Sequence, residues 1–571
     1  MQSLTFVTAI IETNSKCREE TLQFKMDQLS QFLFLLNASF QIFADRGCHE
    51  ILQNRYKDCA NVEIILFSVE EESWIYRESL PYRDRLPLIR NETKDTFEHL
   101  VWTHMKVEFL QRAIEIVGSE GSICWIDPHI CHLFSEPVNV VNYLNYLSMQ
   151  KFAKDPFLAL PGCWDSTAGP IDFNTVCWQF CGTFMLGDAV SINDLHTLYK
   201  HFYPTLLKEQ NTMTWDVNVW AHLESIGVFK PKWYKANHDA SIVRIPTSLY
   251  SQNLSESENT IVEYEYPEVP GFFPSSASYI KGSLVTRYVN YKIGPDGRYT
   301  VFHPEGQLQT INLLSTLSDD LNTLKSSQFI DESVIGIPTY MEGARYVGLE
   351  DVRIFNQIEF VASSAAYTQD HSIRIVKGAI RDGKFVSGVV MQPPNGIFTP
   401  CEKNWIPLPN KDCYIYRWHP YEIIRADENG RTTTVSSKVI PNTLFEKVRG
   451  STVPTWSDAD SHYICVVHWT EVGSKGLLQY YHMLVKLDAE YQVAAWSQPF
   501  HFSKLRRPLE LQRSCGHMPL EVGIQYCLGF TIIDDKTYGF WFSENDGNPK
   551  FMRSCSSQFV FLQSYGRRCA E

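Results

Sequence analysis

The hydrophobic pattern of this chain changes period once, near residue 250, and no single fold accommodates both halves. Before the change, short apolar runs at Leu4–Ile11, Phe40–Ala44, Val62–Phe67, Ser122–Ile126 and Phe157–Leu160 alternate with amphipathic stretches such as Glu20–Leu36, Thr96–Val117 and Ile192–Lys208. Brief buried strands separated by helices predict an α/β layer around a mostly parallel sheet. After the change, helical periodicity nearly vanishes. Aromatic and β-branched runs such as YVNYKIGPDGRYTVF, VRIFNQIEFVAS and YICVVHWT follow one another between Asp-Gly, Asn-Gly and Pro-containing turns, which predicts an all-β domain. The Ser-, Glu- and Pro-rich stretch between them reads as a linker or wrapping segment. The expected organisation is an α/β domain over 1–250, a linker over 251–276 and an all-β domain over 277–571. The all-β part divides into five blades of roughly 60 residues, near the kelch-type spacing, although no repeat is visible as identity.

At 571 residues the chain exceeds what one hydrophobic core serves. The formal charge of −14, from 51 Lys and Arg against 65 Asp and Glu, argues against nucleic acid or an anionic membrane as partner. Aromatic residues reach 13%; such rings stack on sugars and also fill β cores. The 15 cysteines contain no C-x-x-C pair, and several, including Cys124 and Cys465, lie inside apolar runs. They read as reduced thiols of a cytoplasmic protein. Cys177 and Cys181 have a loose metal spacing, but buried thiols are the stronger reading. No apolar run reaches membrane-spanning length, and the N-terminus reads as a first strand rather than a signal peptide.

Three motifs in the first half carry candidate chemistry. In SICWIDPHICHLF a strand ends at Asp127, with His129 two residues on. A carboxylate and an imidazole so placed suit one divalent cation, which would neutralise a departing diphosphate; an Asp opening a turn before Pro is the plainer alternative. Asp216 precedes a helical pattern in TWDVNVWAHLE, either as an N-cap or as a general base beside Trp215 and Trp220. His238, in KANHDAS, is a further ligand or an idle surface histidine.

The runs FVTAII, KDTFEHLVWTHMKVEFLQRA, WIDPHI, CGTFMLGD, TWDVNVWAHLE and the late NHD resemble the HtrL/YibB family, in this order, across about residues 3–245. That family is similar to GT-A glycosyltransferases. The resemblance implies a GT-A-like, Rossmann-like fold and a UDP- or GDP-sugar donor. It places Asp127 and His129 at the metal motif, with His238 as the late metal ligand. Asp216 takes the acidic place of the W-E/D-x-N-x-W motif, as catalytic base. Thr8 would lie against the nucleotide, with Lys94 and Lys106 as phosphate partners, and Mn²⁺ or Mg²⁺ is the expected cofactor. The metal motif departs from the family pattern: Asp-Pro-His stands in place of Asp-x-Asp.

In the second half, GLEDVRIF sets Glu350, Asp351 and Arg353 at the entry to an aromatic strand, either as an acid pair with an anion-holding Arg or as an exposed turn with an edge ion pair. LVTRYVNY adds Arg287 and Asn290, RGSTVPTW adds Arg449 and CVVHWT adds His468. This succession resembles the five-bladed propellers of the mannoside-phosphorylase family, with Val352 where those enzymes usually have Pro. The resemblance implies that Asp351 is catalytic and that the other six residues line the same pocket. Taken together, the expected activity is sugar transfer from a nucleotide sugar to a glycan acceptor, with the propeller as second transferase or acceptor-binding domain. The rival readings are a phosphorylase or hydrolase acting in the propeller, and a carbohydrate-binding protein without catalysis.

Overall fold

A seven-stranded sheet organises the first part of the protein in the computed structural model. Its strands are β1 (Leu4–Ile10), β2 (Ser39–Ala44), β3 (Val62–Leu66), β4 (Ser122–Ile126), β5 (Leu158–Gly162), β6 (Phe184–Asp188) and β7 (Lys232–Lys235), in the order β3-β2-β1-β4-β6-β5-β7. Strands β1 to β4 are parallel to one another, β5 is parallel to β7, and β6 runs antiparallel to both of its neighbours. The apolar runs correspond to β1 to β5, whereas β6 and β7 were not expected as strands. The described residues are 4–118, 121–152, 156–164, 170–256, 259–396, 399–409, 411–472, 477–503 and 521–563. The chain divides into two units, Met1–Tyr250 and Ser251–Glu571.

The helices of the first unit are α1 (Leu22–Leu33), α2 (Arg46–Tyr56), α3 (Val69–Glu72), α4 (Trp74–Ser79), α5 (Phe97–Val117), α6 (Pro137–Ser148), α7 (Ala189–Gln210) and α8 (Asp216–Ser225). Thr96 caps α5 by accepting from the His99 N–H, and Gly118, at φ +86°, ends it. Helix α5 is buried around most of its circumference, as a core helix must be. Phe109 lies between Phe43, with ring centroids 5.2 Å apart, and Trp125, 6.1 Å away. Each such aromatic contributes on the order of 2–3 kcal/mol by leaving water. The same burial carries Lys106, from the middle of α5, out of solvent.

The second unit is a propeller-like ring of antiparallel sheets. Among the described residues four sheets follow a regular four-strand path. The first uses Phe273–Ile280, Ser283–Val289, Leu308–Leu317 and Leu324–Phe329, and the second Glu350–Phe355, Glu359–Ser364, Arg374–Arg381 and Lys384–Val390. A third uses Ile406–Pro407, Cys413–Trp418, Tyr421–Ala426 and Thr432–Lys438, and another Gln525–Asp534, Thr537–Glu544, Gly547–Cys555 and Thr260–Glu263. The remaining large sheet, built on His462–Val472 and Leu477–Leu487, is a nine-stranded composite, so the regular blades number four rather than the expected five. The ring closes because Gln525–Asp534 lies against Phe273–Ile280.

The stretch 251–276 is not a free linker. Thr260–Glu263 pairs with Gly547–Cys555 and completes the last sheet, and Phe273–Ile280 opens the first. Every described cysteine is a free thiol. Among the described residues no helix is long and apolar enough to cross a membrane.

Candidate functional site

The order of the first sheet reverses between β1 and β4, and in open α/β sheets the crevice beyond the carboxyl ends of strands at such a point binds ligands. A cavity of about 390 Å³ opens there. Lys94, Lys106, Asp127, His129, Asp216 and His238 all line it. Thr8 does not. It lies inside β1, fully buried and paired across the strand with Ile42, so its side chain faces core rather than a nucleotide.

Lys106 is the hub. Its ammonium donates to the Gly182 carbonyl at 2.7 Å and to Asp216 Oδ2 at 3.0 Å, and lies 3.8 Å from Asp127 Oδ1. Burial alone would lower its pKa, but Asp127 and Asp216 hold it above the usual lysine value. The faces of Trp102 and Trp125 lie 5.6 and 5.8 Å from the same ammonium. Gly182 leaves room for this contact: a Cβ would stand 2.8 Å from the ammonium and 3.0 Å from Asp216 Oδ2, so one of the two side chains would have to move. Asp216 is not the N-cap of α8; that place belongs to Trp215, which makes no side-chain cap. Asp216 instead accepts from the Val217 N–H at Oδ1 and from the Lys106 ammonium at Oδ2.

His129 is buried, its Nδ1 has no hydrogen-bond partner, and burial first of all pushes its pKa down to about 4. It stacks on His132 at 5.3 Å, and His132 meets the exposed His238 edge-on at 6.5 Å. Glu20 faces Lys25 at 2.8 Å, His99 at 3.5 Å and Lys94 at 3.6 Å. Although burial alone would raise its pKa, His99 and Lys25 hold it far below the usual carboxylate range. Glu20, Arg90, His99 and His132 line the cavity and were missed by the sequence reading.

Asp127, the first expected ligand of Mn²⁺ or Mg²⁺, already has partners on one of its oxygens. Asp127 Oδ1 accepts from Trp125 Nε1 at 2.7 Å and faces the Lys106 ammonium. Among the described residues no three His, Cys, Asp or Glu side chains converge as a ligand set.

In the second unit, Arg287 clamps both acids of the Glu-Asp motif. Its guanidinium reaches Glu350 Oε1 at 3.2 Å and Asp351 Oδ1 at 3.3 Å. Lys403 adds a contact to Glu350 Oε2 at 3.1 Å. Arg287 also donates to Tyr291 Oη at 3.2 Å, and that hydroxyl donates to Asp546 Oδ2 at 2.9 Å. Burial raises the Asp546 pKa first, with Asp351 and Glu350 adding to it. Asp351 adopts left-handed backbone inside a strand, at φ +51°, a strain that marks a site where side-chain placement outweighs backbone preference, whereas Asp546, at φ +52°, does so as a hairpin-turn residue after Asn545.

Arg353 is fully buried and ties three segments together through the Ser451 carbonyl at 2.7 Å, Tyr526 Oη at 2.7 Å and Asn404 Oδ1 at 3.3 Å. His468 Nδ1 meets Ser451 Oγ at 2.8 Å, and burial pushes its pKa down to about 3. Arg449, opposite His468 in the sheet, is exposed and lines a cavity of about 430 Å³ with Lys403 and Asn404. Asn290 takes no part. Its amide donates to the Gln307 carbonyl at 2.9 Å and accepts from the Gln309 N–H at 2.7 Å. Lys403, Tyr526 and Asp546 come from turns and strand starts that the sequence reading did not single out.

No family model matches the chain and no curated protein matches it. Solved structures to which it is similar include a glycosyl hydrolase from Bacteroides ovatus, at 10% identity and TM-score 0.32, covering 51% of this chain and 86% of that one. A β-1,2-mannobiose phosphorylase from Listeria innocua matches at 11% identity and TM-score 0.31, over 52% and 98% of the two chains. MPT-1, a GDP-Man-dependent mannosyltransferase from Leishmania mexicana, matches at 11% identity and TM-score 0.28, over 54% and 93%.

Proposed function

We propose that the chain is a carbohydrate-active enzyme that transfers a sugar from a nucleotide-sugar donor to a glycan acceptor, and that transfer takes place in the cavity beyond β1 and β4. The observation that carries this reading is the convergence of Lys106, Asp127 and Asp216, from three separate segments, at the switch point of an open α/β sheet. Leaving-group departure from such a donor places negative charge on a diphosphate, which fixed cations in a water-poor site stabilise. Lys106, Lys94 and Arg90 line the cavity as the cations for that charge, beside the carboxylates of Glu20, Asp95, Asp127 and Asp216. Asp127 and Asp216 hold the Lys106 ammonium in place. With both oxygens engaged, Asp216 is assigned to positioning Lys106 rather than to proton abstraction.

In the same reading the second unit holds the glycan acceptor or a second reaction centre. Arg287 pairs with Glu350 and Asp351, while Asp546, raised by burial, is the acid able to carry a proton. The test is a panel of UDP- and GDP-sugars scored by thermal shift and donor hydrolysis on the full chain and on Asp127→Ala. One donor should raise the melting temperature of the parent, with the shift and turnover lost in the variant. A variant with normal folding and near-normal turnover would refute the assignment.

A further inference from the structure

Cys163 and Cys181 are the one pair of described thiols seen in side-chain contact, with their sulfurs 3.2 Å apart. They sit on neighbouring backbone segments whose geometry is fixed on both sides of the contact. The Cys181 N–H donates to the Pro161 carbonyl at 2.8 Å, and the Cys163 and Trp164 N–H groups both donate to the Trp178 carbonyl, at 3.0 and 2.9 Å. Trp233 Nε1 holds the Gln179 carbonyl at 2.7 Å, and Lys235 Nζ holds the Cys163 carbonyl at 2.6 Å. A disulfide needs a sulfur separation of about 2.05 Å, so closure asks for a movement of roughly 1 Å. The two thiols differ in access: Cys163 is partly exposed, whereas Cys181 is buried and lines the cavity.

We propose that Cys163 and Cys181 form a reversible disulfide that sets the state of the cavity wall, with a peroxide as oxidant. The Cys163 thiolate attacks the peroxide oxygen, giving a sulfenic acid and releasing hydroxide. The Cys181 sulfur then displaces water from it, forming the S–S bond. The two sulfurs lose two electrons in all, and hydrogen peroxide becomes two water molecules. Burial raises the Cys181 pKa, and the neighbouring Cys163 thiol raises it further, so Cys163 is the thiol that reacts first. Closure reaches the cavity through the next residue. Gly182 gives Lys106 its shortest contact, and a displacement of Cys181 by roughly 1 Å carries that carbonyl with it. The link to donor binding rests on the transfer reading above; the disulfide itself does not.

The experiment treats the full chain with hydrogen peroxide and then with dithiothreitol. Peptide mapping, free-thiol titration and hydrogen exchange follow each step, with Cys163→Ser as control. The expected result is a 163–181 linkage that forms at low peroxide, slows exchange across residues 178–183 and reverses with reductant. It should also lower affinity for UDP or GDP about tenfold or more, since misplacement by about 1 Å at a reaction site is costly. Both thiols free after oxidation, or linkage to other cysteines, overturns the proposal. A linkage that leaves exchange at 178–183 unchanged overturns the role in the cavity wall. Failure of the reduced protein to bind any nucleotide would count against the transfer reading alone, because mapping and exchange still decide the disulfide.

Discussion

Replacing Lys106 by Met removes one buried ammonium and leaves the length of the side chain. In the parent, side-chain exposure at Lys106 and Asp216 is 3% and 5%, so solvent cannot take over the charge when the partner is lost. Breaking a buried ion pair from one side costs about 3–5 kcal/mol. Asp127 and Asp216 are both left facing the vacated position, which puts the expected cost at the upper end. For a unit of this size that is a drop of roughly 10 °C or more in the transition of the first unit. The double variant Lys106→Met/Asp216→Asn removes both charges and should recover much of the loss, giving a coupling energy of about 2 kcal/mol. The pH dependence has a definite sign. The folded-state pKa of Lys106 is raised, so its contribution is fully present below its ordinary value and is lost only as pH rises through the higher folded value. The deficit of the variant therefore persists across neutral pH. It narrows on acidification, as the uncompensated carboxylates take up protons. Urea unfolding between pH 5 and 8, followed by tryptophan fluorescence, measures all of this. A cost below about 1 kcal/mol with no coupling to Asp216→Asn would refute the buried-hub reasoning.

Gly182→Ala should weaken nucleotide binding at least tenfold while leaving the second unit's unfolding transition unchanged, because its Cβ stands 2.8 Å from the Lys106 ammonium; calorimetric titration with UDP and GDP checks it. His129→Gln should flatten the loss of stability between about pH 6.5 and about 4: the folded His129 stays neutral down to about 4 while the unfolded chain protonates earlier, a difference on the order of 3 kcal/mol in acid urea titrations. Asp546→Asn should stabilise the second unit more at pH 8 than at pH 4, since a raised carboxyl loses stability as pH rises; an equal effect at both values would remove Asp546 as a proton carrier.

Much of the fold was legible because its signals are local. The five apolar runs needed only short-range alternation with amphipathic stretches to predict β1 to β5. β6 was hidden in CGTFMLGD, where Gly and Asp interrupt the apolar pattern, although the segment runs through the middle of the sheet. The linker reading of 251–276 failed for a different reason. The strand within it, Thr260–Glu263, is only four residues long and largely exposed, and the Ser, Glu and Pro around it hid its signal.

The site in the first unit was legible as separate motifs but not as a network. Lys106 looks like one polar residue in an amphipathic helix, and only the burial of α5 on nearly all sides makes it a hub. Asn290 misled because LVTRYVNY puts it three positions after Arg287, but the strand ends at Val289 and the Asn290 amide turns onto the Gln307 and Gln309 backbone. The alternation of faces along a strand would separate adjacent Glu350 and Asp351. They reach one guanidinium because the strand pairing shifts register between Glu350 and Arg353 and Asp351 turns left-handed. Asp546 belongs to an Asn-Asp-Gly hairpin turn, whose composition alone explains it, so nothing local pointed to a site.

Calorimetric titration of UDP and GDP into the full chain, with EDTA and again with Mn²⁺, bears most directly on the proposed transfer site. The fixed cations of the first unit predict binding of one nucleotide with the same affinity in both buffers. They also predict that binding disappears in Lys106→Met and is unchanged in Asp351→Asn. Binding seen only with Mn²⁺, or binding that survives loss of Lys106 but not of Asp351, would contradict it.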